Sequence, residues 1–277
     1  MEIRKNLSSQ GNAQFSEGNL YTPVRSVAYN LDLIWHLVKR DFSLRYKRST
    51  LGILWSLVLP LAQLLVLIFI FQIVVPLHID SYPAFLFTAL LPWTWFSTCL
   101  SSAGGLLNNN KDLVWQPNFE PINLIIINML SNFLLFIIAL PILFILLILY
   151  ERPLTLSLIF LPSLMLIQGI LIVGLDLIIA TQNVFYRDVE HIVEIALMLL
   201  FYMTPVFYRS QSISESYRVV YALNPIAVLV ENYRAILFYG TNPEWSSLLF
   251  TGIVSIVVCA IGYLVYSRQL HNIMDKL

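Results

Sequence analysis

The chain has 277 residues, of which 58% are hydrophobic and 12% charged, and its mean hydropathy is +0.76. A soluble globular chain carries about 25% charged residues to cover its core, so this one has too little polar surface for water and enough apolar length for a bilayer. Sixteen Lys and Arg balance sixteen Asp and Glu, which removes the basic field of a nucleic-acid binder. Cys99 and Cys259 stand far apart with no CxxC and no Cys/His cluster, which removes a zinc site and a disulfide framework.

Residues 1–28 are polar and rich in Ser, Asn and Gln, and read as a flexible cytoplasmic leader. Over 29–49, Leu31, Ile34, Trp35, Val38 and Phe42 recur at three- and four-residue steps, while Lys39, Arg40, Arg45, Lys47 and Arg48 gather in the second half. That pattern predicts an amphipathic helix lying in the membrane interface, its basic residues toward lipid phosphates. The same charges also suit a positive anchor that orients the first span. Residues 50–277 read as one transmembrane domain with six uncharged or nearly uncharged runs, at about 53–75, 84–103, 122–150, 154–181, 189–208 and 246–266. Their apolar stretches are continuous rather than alternating, which predicts helices and not barrel strands. Pro60, Pro141 and Pro162 fall inside these runs and predict local curvature.

An even number of spans puts both termini on one side, and that side carries twelve Lys and Arg against four, Arg152, Arg209, Arg218 and Arg234, on the other. Both ends are therefore expected in the cytoplasm. The first run begins near residue 53 behind a polar leader, so it reads as an uncleaved anchor.

Two short loops then face the cytoplasm: Asn108–Pro121, carrying Lys111, Asp112, Trp115 and Glu120, and Gln182–His191, carrying Arg187, Asp188 and Glu190. Neither can form a domain. They read as helical turns that offer charge and an aromatic knob to a partner subunit, or as plain connectors. On the outer side, Tyr217–Leu223 and Ile226–Phe238 read as two short helices broken at Asn224-Pro225. They either dip back into the membrane, packed against protein, or form an outer loop.

Little here points to catalysis. Asp176 and Glu194 are the carboxylates inside spans, and burial of such groups marks a functional candidate; both read as structural or gating groups. Asp188, Glu190, His191 and Glu194 lack a second spaced His, so no metal site is expected. None of the ten glycines precedes a Lys, so the phosphate loop GxxxxGK[ST] is missing and ATP, if used, must be hydrolysed by another polypeptide. Aromatic residues are abundant at 13%. Trp93, Trp95 and Phe96 follow Pro92 at mid-span, and Phe201, Tyr202, Phe207 and Tyr208 crowd the outer half of the fifth run. They fit interfacial belts, or a conduit on whose flat faces sugar rings slide.

Four stretches together, KRDFSLRYKRSTLGILWSLVLPL from Lys39, LLPWTWFS, FYRDVEHIVEIALMLLFYMTPVFY from Phe185, and LNPIAVLVENYRAILFYG from Leu223, resemble the membrane subunits of bacterial ABC exporters for polysaccharides. Those export O-antigen, as in lipopolysaccharide, capsular polysaccharide or teichoic acid. The resemblance runs from about Leu31 to Tyr266. It implies a multi-pass inner-membrane homodimer of six-span subunits above two copies of a separate ATPase, with ATP and Mg on that partner and no cofactor on this chain. It further implies that the interfacial helix (Lys39 to Arg48) and the loops Asn108 to Glu120 and Arg187 to His191 receive the motion of the ATPases. The outer helices, with Asn224, Pro225, Glu231 and Arg234, would form a gate, and Trp93, Trp95, Phe96, Tyr202, Phe207 and Tyr208 would line the channel. A permease for drugs or small lipids is the alternative.

Overall fold

The computed structural model describes residues 23–46, 49, 52–116, 119–212, 214–217 and 221–276. A helix satisfies its own backbone amides, which hydrocarbon cannot do, and each long apolar run is helical; the described residues contain no strand. Among the described residues ten α-helices follow one another: α1 (Pro23–Tyr46), α2 (Trp55–Ile68), α3 (Tyr82–Ala103), α4 (Leu106–Asn109), α5 (Lys111–Val114), α6 (Ile122–Leu149), α7 (Leu161–Phe185), α8 (Asp188–Met203), α9 (Pro225–Leu237) and α10 (Trp245–Lys276). The backbone of α2 continues as a π-helix over Phe69–Val74, and 3-10 turns over Leu156–Phe160 lead into α7.

Five of these segments are long and apolar enough to cross a membrane: Trp55–Val74, Tyr82–Ala103, Ile122–Leu149, Leu156–Phe185 and Trp245–Met274. They correspond to the first four expected spans and the sixth. The fifth differs. α8 stops at Met203 rather than Tyr208, because Thr204 turns extended before Pro205. Its 16 residues cover about 24 Å at 1.5 Å per residue, short of a hydrocarbon core about 30 Å thick. α1 begins at Pro23, inside the stretch expected to be a loose leader, and α10 runs well past Tyr266. The rest of the leader, 1–22, lies outside the described residues. Pro162 occupies the first turn of α7, where its missing N–H costs nothing, so it starts that helix instead of bending it.

α3 is the centre of the molecule. Its first half is buried on nearly every side, the pattern of a helix enclosed by others, while Thr94, Ser97, Thr98 and Ser101 form a less buried polar side of its second half; α2, α6, α7, α8 and α9 pack around it. Gln168 of α7 donates its Nε2 to the carbonyl of Pro92 at 2.8 Å and ties the middle of the core together. α7 and α10 form the most extensive helix pair. A Cβ on Gly174 would lie 2.6 Å from the Cα of Cys259, so the two backbones touch, as small residues allow in membrane helices.

α1 packs across the first half of α6, with Ile34 and Val38 buried against Ile127. The outward faces of α2 and α8 are apolar and bare: Leu59, Leu65 and Ile73 on one, Ile192, Ile195, Met198 and Tyr202 on the other. Apolar surface on that scale belongs against lipid or another protein.

Candidate functional site

At one end of the bundle, α9 is positioned by the sequence Asn-Pro. Asn224 is extended, and its Oδ1 accepts from the amides of Ile226 and Ala227 at 3.2 and 3.4 Å. It is thus the N-cap, with Pro225 in the first turn. The buried hub on this helix is Arg234, 1% exposed. Its Nη1 donates to Glu231 Oε1 at 2.6 Å, its Nη2 to the carbonyls of Pro205 and Val206 at 2.9 and 3.0 Å, and its guanidinium lies 3.8 Å from the ring centre of Phe85. A planar fork can serve carboxylate, carbonyls and ring together. Tyr82 adds a second tie, its hydroxyl donating to the carbonyl of Phe207 at 3.0 Å. The non-helical turn after α8 is therefore held to both α3 and α9.

From this turn an aromatic string runs inward to the central helix. Phe207 stacks on Phe71 of the α2 extension with ring centres 4.9 Å apart, and touches Tyr208 at 4.9 Å and Phe201 at 5.8 Å. Phe201 in turn contacts Tyr202 at 5.6 Å and Trp93 at 5.5 Å. Tyr202 is 62% exposed, and Phe207 and Tyr208 are half-buried. Trp93, Trp95 and Phe96, expected on a channel wall, are instead buried inside the protomer. They lie on the central helix, around which α2, α6, α7, α8 and α9 pack. Trp95 makes tilted ring contacts with Phe133 and Phe136 and lines two cavities of about 360 and 390 Å³.

At the opposite end stand α1, α4, α5 and the start of α8. Lys39 and Arg40 are exposed, Lys39 lying over Trp35; Arg45, Lys47 and Arg48 lie outside the side chains the structure describes. Lys111, Asp112, Trp115 and Glu120 of the first loop and Arg187, Asp188 and Glu190 of the second are all exposed. The first helix expected on the outer side, Tyr217–Leu223, lies partly outside the described residues.

Asp176 is fully buried, and Asn128 donates to its Oδ2 at 3.0 Å. Asn128 also accepts from Ser102 at 2.7 Å and Asn132 at 3.0 Å, which links α3, α6 and α7. Glu194 is exposed beside His191, 3.6 Å away. Among the described residues no group of three His, Cys, Asp or Glu side chains is arranged to hold a metal. Sequence reading did not single out Ser102, Asn128, Asn132, Asn183, Tyr82 or Phe85. Asn128 and Asn132 had a usable signal, since an amide inside an apolar run needs a partner across a helix interface.

Residues 32–238 match the family of ABC-2 type transporters. An O-antigen export system permease protein RfbA of Klebsiella pneumoniae is 33% identical over 84% of this chain and 91% of its own length. One of the same name from Myxococcus xanthus is 33% identical over 85% and 91%. The polysialic acid transport protein KpsM of Escherichia coli is 27% identical over 84% and 92%.

Proposed function

The chain belongs to the ABC-2 type transporter membrane family, and from that premise we propose that it is the channel-forming subunit of an ATP-driven exporter of a polysaccharide or lipid-linked glycan. It works in a bacterial inner membrane as a homodimer above two copies of a separate ATPase, which carries the ATP and Mg. The observation that carries this reading, and sets it above export of drugs or small lipids, is similarity along most of the chain to permeases named for polysaccharide export.

The geometry supports the details. The chain crosses six times, the fifth crossing being α8 completed by the extended turn over 204–208, and both termini are cytoplasmic as the Lys and Arg distribution requires. Two protomers meet through the bare faces of α2 and α8. A polar polymer cannot cross hydrocarbon unaided, since each unsatisfied hydroxyl costs several kcal/mol there. Tyr202, Phe207 and Tyr208 offer flat faces and weak, interchangeable hydrogen bonds, so a sugar chain is held loosely enough to advance; Trp93, Trp95 and Phe96 stiffen that wall from behind. α9 with its partner segment re-enters from the outer face as a gate, pinned by Arg234. The ATPases engage the basic face of α1 and the loops around Trp115 and Arg187, and their closure shifts the subunit between two packings.

The test is to purify the tagged protein in mild detergent from its host, identify by mass spectrometry what accompanies it, and delete its gene. A stoichiometric subunit with a phosphate-loop motif, together with loss of a surface glycan that accumulates inside the cell, is expected. A protein that comes out alone, in cells whose surface glycans survive the deletion, overturns the reading.

A further inference from the structure

Helix ends leave carbonyls and amides without intrahelical partners. Two such ends meet at the cytoplasmic side. α3 finishes at Ala103, followed by Gly104, and α8 starts at Asp188; its N-cap residue Arg187 makes no side-chain capping bond. One residue from a third helix serves both ends. Asn183, in the last turn of α7 and 3% exposed, donates its Nδ2 to the carbonyl of Gly104 at 2.7 Å. Its Oδ1 accepts the amide of Glu190, in the first turn of α8, at 3.2 Å. The side chain therefore caps the end of one helix and the beginning of another, with both halves of its amide in use.

Gly104 makes this approach possible. A Cβ placed there would stand 3.2 Å from the Cβ of Glu190, so the segment leading into the first loop and the start of the second touch directly.

We infer that Asn183 is the pin that makes the two cytoplasmic loops move as a single body, a positioning residue in the coupling of ATP hydrolysis to export. This rests on the reading above that both loops receive the motion of the ATPases. With the pin in place, a push on either loop displaces the ends of α3, α7 and α8 together. Without it, the start of α8 rocks against α3, and the stroke is lost before it reaches the spans.

The experiment compares glycan exported per ATP hydrolysed in vesicles holding the complete complex. Asn183→Ala keeps ATP turnover and lowers this ratio by about tenfold, the size of an ordinary coupling between two sites. A covalent replacement for the pin then separates coupling from folding. Cysteines introduced as Gly104→Cys and Glu190→Cys, in a chain carrying Cys99→Ala and Cys259→Ala, place their Cβ atoms 3.2 Å apart, so the helix ends must part by a few tenths of an ångström to reach the disulfide range of about 3.5–4.5 Å. Oxidation of this pair in the Asn183→Ala chain restores the ratio, and reduction abolishes it again. An unchanged ratio in Asn183→Ala overturns the inference. So does loss of export when the pair is oxidised in a chain that retains Asn183, which also decides the matter if Asn183→Ala assembles poorly. Failure of the exporter reading itself shows elsewhere, as an unmutated protein with no ATPase partner and no export.

Discussion

Arg234 shows how much a single side chain fixes at the end of the bundle where α9 begins. It joins α9 to the turn after α8 through two carbonyls, to Glu231 through an ion pair, and to α3 through the face of Phe85. Arg234→Met removes the donors and leaves the carbonyls of Pro205 and Val206 without these partners; breaking a buried charged network of this kind costs about 3–5 kcal/mol. Arg234→Lys is expected to recover only part of this, because one ammonium cannot span the positions of the fork. Thermal melting of the purified protein checks both, and a Met variant as stable as the unmutated chain would remove the hub. The sequence put Arg234 on the helix that follows Asn224-Pro225 but could not disclose its burial, since the carbonyls it serves lie 28 and 29 residues upstream. Trp93 and Trp95 illustrate the converse. Both flank Thr94 at the middle of α3, where the preceding run from Ala84 is apolar but for Thr88 and gives little periodicity to tell wall from core, so mid-span position alone suggested a channel at side chains that are buried within one protomer.

Among the elements, the pairing of α7 with α10 rests on backbone contact at Gly174 and Gly262. Gly174→Ala drives a methyl to within 2.6 Å of the Cys259 backbone, which cannot move aside as a side chain tip would; the helices must separate, at an overpacking cost of about 1–3 kcal/mol. Gly252→Ala on the same α10 is the control. Its methyl would meet the Cδ1 of Ile167 at 3.8 Å, ordinary contact, so its melting temperature stays near that of the unmutated protein while that of Gly174→Ala falls. Equal melting of the two would show that the close approach is not what holds the pair. Element existence was legible because hydrocarbon-length apolar runs carry a strong signal. Element ends were less so: Thr204 turns the chain out of α8 before the apolar run finishes, and α10 continues through polar residues to Lys276 because its buried Tyr266 and Ile273 pack beside Leu107, Val114 and Ile125. That packing is tertiary and leaves little trace in local composition.

At the scale of the whole molecule, the aromatic string separates two kinds of residue that look alike in sequence. Tyr202 faces outward from α8 at 62% exposure, whereas Trp93 is 4% exposed at the core, with Phe201 in contact with both rings. Truncating an exposed side chain away from special features changes stability by about 0.5 kcal/mol or less, while Trp→Ala in a packed core costs about 3–5 kcal/mol. If the bare faces of α2 and α8 bound a polymer path between two protomers, each transporter presents Tyr202 twice. An aromatic contact is worth about 0.5–1.5 kcal/mol beyond its buried area, so losing both copies amounts to roughly tenfold in a rate limited by that contact. Tyr202→Ala is therefore expected to melt with the unmutated protein and assemble with its partners, yet export glycan about tenfold more slowly, as read by surface glycan per unit time in cells with matched protein levels. Trp93→Ala is expected to show the reverse order, a lower melting temperature first and an export defect in proportion to the folded protein lost. Unimpaired export by a stable Tyr202→Ala would place the polymer path elsewhere than along α8, and leave that face to lipid.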